Sequence, residues 1–152
     1  MNKETIPIFY AIDNNYAKFL SVSIKSLIEN ANKNYNYDIN VIYESLDAEN
    51  AEKLKSLQTE NVKINLIAMP KSLDMITDKA RNRLREYTFT LTIFFRLFIP
   101  ELFPQYNKCI YLDADTVISG DISKLYNEDL KDNYAYYLKG HKGRVLKTIA
   151  YD

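Results

Sequence analysis

"CIYLDADTVISG", residues 109–120, decides the fold. Cys109-Ile110-Tyr111-Leu112 is an unbroken apolar run of strand length, the pattern of a central parallel strand covered on both faces. It runs directly into Asp113-Ala114-Asp115. Two such carboxylates repel each other unless a positive charge lies between them or both stand in water. In open parallel sheets, ligands sit outside the carboxyl ends of the strands. Side chains at i and i+2 of extended backbone point the same way. The spacing therefore predicts that both carboxylates face one spot, with the small Ala114 between them leaving room for close approach. Such an oxygen-ligand pair suits Mg²⁺ or Mn²⁺, which take one or two carboxylates and complete their shells with water and substrate phosphates. The plain alternative is a solvated strand-to-turn junction, where aspartate is common. The tripeptide by itself does not decide between them.

The chain upstream supplies the context. Ile6–Ile12 is an apolar run of strand length, with Pro7 tolerable only near a strand start or on an edge. Tyr16, Leu20, Ile24, Leu27 and Ala31 fall on one stripe at helical spacing. A second strand is predicted at about 38–43. Asp47 is a plausible cap for a helix that turns Ala51, Leu54 and Leu57 inward. Val62, Ile64 and Leu66 alternate with Lys63 and Asn65 as a third strand. The order βαβαβ points to a mostly parallel sheet with helices on its faces.

Residues 70–87 read as an irregular polar excursion, and 90–99, "TLTIFFRLFI", as a helix apolar nearly all round and ended by Pro100. After the aspartates come a short helix capped by Asp121 and a further strand in "NYAYYL", 133–138. The tail from Lys139 shows no period. Its basic residues Lys139, Lys142, Arg144 and Lys147 read as a solvated end. One α/β domain, 1–152, is expected.

Composition excludes several classes. The 152 residues carry 20 basic and 20 acidic side chains, so no global field draws the chain to nucleic acid or an anionic membrane. A single cysteine rules out a disulfide framework; Cys109, in its apolar run, reads as a small buried hydrophobe. Neither a leader-like N-terminal segment nor 18 unbroken apolar residues is found, so neither a signal peptide nor a transmembrane segment is expected and a cytoplasmic setting is the simplest reading.

Two further stretches stand out. Arg96 lies inside "TIFFRLF", where a buried guanidinium needs a charged partner. Asp113 or a ligand phosphate or sugar would serve bidentately; equally, Arg96 would snorkel outward or pair structurally. At the first strand's end, "YAIDNNY", Asp13, Asn14 or Asn15 would cap the following helix. The same short polar side chains would also read a base edge, with Tyr16 stacked on a flat ring.

Taken together, "FYAIDNNYAKFLSVSIKSL" (9–27), "FRLFIPELFP" (95–104) and "KCIYLDADTVISGDISKLYNEDL" (108–130) resemble the family 8 glycosyltransferases, over about residues 6–138. The resemblance implies the GT-A fold, a nucleotide-binding α/β domain whose D-x-D motif holds Mn²⁺ (or Mg²⁺) and the diphosphate of a UDP-sugar. By that resemblance Asp113 and Asp115 are the metal ligands. Asp13 and Asn15 contact uracil and ribose, Tyr16 stacks on the uracil, and Ala11 approaches the base by its backbone. Arg96 lies near the donor sugar and the first aspartate of the motif, with Ala114 between the ligands. The implied reaction is retaining transfer of glucose or galactose to a glycan or lipid-linked saccharide, in the cytoplasm or peripheral to the membrane. No residue is assigned as the retaining nucleophile.

Family catalytic domains are considerably longer than this chain, and their third metal ligand is a histidine far downstream. His141 comes too soon to match and reads as solvated. The expectation is therefore the nucleotide-sugar-binding half of such a domain, with its C-terminal half missing. A sheet cut there would favour self-association. Two rivals remain: a UDP- and metal-binding fragment without transfer, and a haloacid-dehalogenase-type phosphohydrolase, whose D-x-D normally lies on the first strand.

Overall fold

The computed structural model describes residues 3–69, 95–130, 135–139 and 145–150. Strand β1 (Thr5–Ile12) is followed by a 3₁₀ turn (Asn14–Tyr16) and helix α1 (Ala17–Glu29). Strand β2 (Asn36–Tyr43), helix α2 (Ala48–Lys55) and strand β3 (Val62–Ala68) come next. A 3₁₀ turn (Arg96–Phe98), helix α3 (Ile99–Leu102) and strand β4 (Lys108–Tyr111) precede helix α4 (Ser123–Tyr126). Strands β5 (Ala135–Lys139) and β6 (Val145–Ala150) end the described chain.

The six strands form one sheet in the order β3-β2-β1-β4-β6-β5. β1 pairs in parallel with β2 and with β4, and β2 with β3. β6 is antiparallel to both β4 and β5. The mostly parallel α/β sheet is thus as the alternating pattern predicts, with an antiparallel pair added at one side.

β1 buries both faces. Ile6, Ile8, Tyr10 and Ile12 join Leu20, Ile24 and Leu27 of α1, Leu54 of α2 and Ile110 and Leu112 in one core. Phe9 turns to the other face with Phe95, Ile99, Cys109 and Tyr111. Burying each large aliphatic of this kind stabilises by about 1.5–3 kcal/mol. On the second face Phe9 meets Phe103 at 4.8 Å between ring centroids, and Tyr106 donates to Asp38 Oδ2 at 2.8 Å. Asn65 donates to Asp38 Oδ1 at 2.7 Å, so both oxygens of this half-buried carboxylate are satisfied.

Several expectations need correction. Tyr16 does not belong to the buried stripe; it is 45% exposed, and Ala17 takes the inward place. The 3₁₀ turn before α1 shifts the helical phase by one residue. Pro7, by contrast, is the third residue of the central strand β1 and so lies near a strand start, one of the two places expected of it. Phe9 C=O accepts from Leu112 N–H, so Pro7, two residues earlier, directs its nitrogen to the same β4 side, before the register with β4 begins at Ile8. Pro100 does not end a helix. It occupies the first turn of α3, where its missing N–H has no helical partner to lose, and Phe103 N–H still bonds Ile99 C=O at 2.9 Å.

The tail read as aperiodic holds β6, which inserts between β4 and β5. Its sequence, Val145-Leu-Lys-Thr-Ile-Ala150, mixes apolar and polar residues on both alternating faces, so no period of two shows. Lys139 and Lys147 lie in β5 and β6. The predicted excursion at 70–87, residues 90–94 of the predicted helix, His141, Lys142 and Arg144 lie outside the described residues.

Candidate functional site

The strand order places the site. From β1 the chain moves outward through β2 to β3, then returns to β4 on β1's other side. The carboxyl ends of β1 and β4 therefore flank a topological switch point, where open α/β sheets bind ligands. Phe9 lies opposite Tyr111.

On the β1 side, Asp13 Oδ1 accepts from the amides of Asn15 at 2.8 Å and Tyr16 at 3.1 Å, capping the 3₁₀ turn. The capping role read from the sequence is thus present, and it orients the half-buried carboxylate toward the start of α1. Asn14 does something the sequence reading missed. It donates to Asp47 Oδ2 at 2.8 Å, and its Oδ1 accepts from Asp47 N–H at 2.9 Å and Asn50 Nδ2 at 3.1 Å. The loop after β1 is thereby tied to the cap of α2, where Asp47 Oδ1 accepts from Asn50 N–H at 2.7 Å. The Asn50 amide and Asn14 side chain hold the Asp47 carboxyl below the ordinary aspartate range.

Asn15 and Tyr16 are exposed beside this loop. The Tyr16 ring leans on Phe19, 46% exposed, at 5.6 Å between centroids and 52° between planes. Ala11, half-buried, packs on the second-face cluster.

On the β4 side the geometry differs from the expectation. Beyond Tyr111 the backbone leaves the strand, and Asp113–Thr116 form a turn closed by Thr116 N–H to Asp113 C=O at 3.1 Å. The i, i+2 rule for extended chain therefore does not apply to Asp113 and Asp115. Both are exposed, whereas Ala114 is 5% exposed and packs into the first core.

Arg96 is half-buried and opens the 3₁₀ turn Arg96–Phe98. Its guanidinium carbon is 5.8 Å from the Tyr111 ring centroid, a cation–π approach. Burial pushes the Tyr111 hydroxyl up to about 12; Asp113 adds to the rise and Arg96 opposes it. Arg96 and Asp113 thus act on one aromatic side chain from opposite signs. Cys109 fits its reading as a buried hydrophobe, with burial pushing its thiol up to about 12 and away from thiolate chemistry.

The structure therefore brings Ala11, Asp13, Asn15 and Tyr16 to the end of β1, and Asp113, Ala114 and Asp115 to the end of the adjacent β4, with Arg96 over Tyr111 between β4 and the second-face cluster. Among the described residues no group of three or more His, Cys, Asp or Glu gathers as a metal cluster. The donor set is a pair of solvent-facing carboxylates at a strand end, and its chemistry fits a hard divalent cation that keeps waters or phosphate oxygens in its remaining positions. Sequence reasoning also missed Ser23 and Thr116, which meet behind the turn. The available signal was a serine within the apolar stripe Leu20–Ile24–Leu27.

A mostly parallel sheet with an acidic turn at its switch point is the architecture of a GT-A-type domain. The sequence model of glycosyl transferase family 8 matches residues 7–148, and the chain belongs to that family. It is 30% identical over 142 residues to a lipopolysaccharide 1,2-glucosyltransferase of Escherichia coli, covering 87% of this chain and 38% of that protein. It is 29% identical to glycosyltransferase GlyB of Streptococcus pneumoniae, covering 86% of this chain and 30% of that one. The chain thus spans well under half the length of these relatives.

Among solved structures, the bifunctional glycosyltransferase WbbM superposes with a TM-score of 0.74 at 30% identity, over 92% of this chain and 24% of that one. The galactosyltransferase LgtC, solved with donor and acceptor sugar analogues, superposes with a TM-score of 0.65 at 22% identity, over 86% and 45%. Family membership removes the phosphohydrolase rival. The position of the motif agrees, since three described strands precede β4.

Proposed function

We propose that this chain forms the donor side of a hexosyltransferase site, moving glucose or galactose from a UDP-sugar to a hydroxyl of a glycan or lipid-linked saccharide with retention of configuration. One observation carries the reading: the acidic turn Asp113–Asp115 ends β4 directly beside the β1 loop bearing Asp13, Asn15 and Tyr16. Nucleotide contacts and diphosphate contacts are thereby neighbours across one switch point. The names of the relatives support hexosyl transfer in surface-glycan assembly, with the chain acting in the cytoplasm or peripherally at the membrane. Among the described residues no helix is long and apolar enough to cross a membrane.

In this reading Tyr16 stacks on the uracil, supported from behind by Phe19. Asp13 and Asn15 address the uracil and ribose, and the backbone of Ala11 approaches the base. Asp113 and Asp115 hold Mn²⁺ or Mg²⁺. When bound, the ion supplies positive charge to offset that developing on the departing diphosphate. The buried Ala114 fixes the turn so that the two carboxylates face outward. Arg96, beside the Tyr111 ring, adds a fixed positive charge toward the donor sugar.

Calorimetric titration of UDP with and without Mn²⁺ tests the reading. Binding is expected to need the metal, to vanish on chelation, and to be lost in Asp115→Ala. Unchanged affinity in that variant overturns the metal assignment. A second reading, binding without transfer, is favoured by the share of its relatives that the chain spans. UDP release measured over candidate donor sugars separates the two. Self-association belongs to the same proposal and is read from the sedimentation of the chain.

A further inference from the structure

We propose that Tyr10, Ser23 and Thr116 form a directional chain of hydroxyls that fixes the turn bearing Asp113 and Asp115, making all three positioning residues for the donor site; this rests on the donor-site reading above. Thr116 Oγ1 donates to Asp113 C=O at 2.8 Å. Ser23 Oγ lies 3.3 Å from Thr116 Oγ1, and Tyr10 Oη 3.0 Å from Ser23 Oγ. Each hydroxyl has one proton. Since Thr116 gives its proton to the carbonyl, Ser23 donates to Thr116 and Tyr10 donates to Ser23. The sense of the whole chain is set by its last acceptor, the backbone of the first aspartate.

The chain begins where solvent cannot interfere. Tyr10 and Ser23 are both 0% exposed. Burial pushes the Tyr10 hydroxyl far above the usual tyrosine range, so it keeps its proton and remains a donor. Phenylalanine and alanine would fill these core positions without any polar group to satisfy. Instead the two polar groups lead to a single carbonyl at the sheet's rim, and bonds in such a series strengthen one another.

Helix α1 also grips the following residues. Ile118 N–H donates to Ser26 Oγ at 2.9 Å, and Asn30 Nδ2 donates to Ile118 C=O at 3.0 Å. Ser23, Ser26 and Asn30, at i, i+3 and i+7, follow the loop from 116 to 118 along one side of α1. The same helix is packed on β1 through Leu20, Ile24 and Leu27. The acidic turn is thus referenced to the core, and its two exposed, mutually repelling carboxylates are held in place before any ligand arrives.

Thr116→Val keeps the shape and removes the hydroxyl, whereas Thr116→Ser keeps the hydroxyl. UDP affinity is measured by calorimetry with and without Mn²⁺, together with amide hydrogen exchange over residues 113–118. Thr116→Val is expected to weaken UDP binding in Mn²⁺ by about three- to tenfold, the value of one or two hydrogen bonds. It should speed exchange at the Thr116 amide, which bonds Asp113 C=O, while Thr116→Ser behaves as wild type. Tyr10→Phe, acting from the buried end, should weaken binding in the same sense and not add fully to Thr116→Val. Unchanged affinity of Thr116→Val in Mn²⁺, or unchanged exchange at the Thr116 amide, overturns the proposal alone. Absence of Mn²⁺-dependent UDP binding in the wild-type chain overturns the donor-site reading as well, and is seen before any variant is made.

Discussion

Asp13 performs two tasks with one carboxylate. Its Oδ1 is taken up in capping the turn before α1, and the residues it orients, Asn15 and Tyr16, are the exposed ones. The cap thereby sets the course of the loop that carries both exposed residues. Tyr16 shows the same logic from the solvent side. An aromatic ring left 45% exposed at a sheet's switch point, braced by a second exposed ring, has the disposition of a stacking platform. Tyr16→Ala is expected to cost about 1–3 kcal/mol of UDP binding, read by calorimetry, with thermal stability unchanged. Retained affinity removes Tyr16 from the site. Asp113 and Asp115 were legible as a pair and misread as extended backbone, because the turn is closed by Thr116, whose hydroxyl also meets Ser23, 93 residues away.

At the scale of elements, the termini of the helices do most of the positioning. Asp47 is a cap that the sequence announces, and the structure adds that it also anchors Asn14 from the β1 loop. Its carboxyl is held below the ordinary range by the Asn50 amide and then by Asn14. A carboxylate with a lowered folded-state pKa contributes stability that is complete above its unfolded value, roughly 3.9. That contribution is lost as pH falls through the lower folded value, since the unfolded chain then binds more protons. Thermal melting between about pH 5 and pH 2 should therefore show a fall in wild type that is shallower in Asp47→Ala, which lacks the titrating group. Equal slopes would separate the cap from acid stability. The β-strands were legible where both faces are apolar, as in β1 and β4. β6 was not, because its faces mix polar and apolar residues and its pairing on both sides supplies what periodicity does not.

On the scale of the molecule, β1 is the axis. Ile8 is fully buried, lies opposite Ile39 on one side and Ile110 on the other, and belongs to the core shared with α1 and α2. Ile8→Ala should destabilise by about 2–5 kcal/mol, a large share of the roughly 5–15 kcal/mol typical of a domain. Denaturant unfolding followed at two probes tests this. A cost well under that range would mean that the sheet's centre can collapse around the cavity.

The sequence by itself determined the alternation of strands and helices, the mostly parallel sheet, the family and the residues at the rim. These follow from local patterns: apolar runs, a helical stripe, caps and a paired acidic motif all lie within a few residues of one another. Only the tertiary structure decided that the acidic pair stands on a turn, that Arg96 lies against the Tyr111 ring, and that a buried tyrosine reaches that turn through Ser23 and Thr116. Such contacts join residues 13 to 93 positions apart. They depend on which strand is placed beside which, and that is set by the packing of the whole sheet rather than by any stretch of chain read alone.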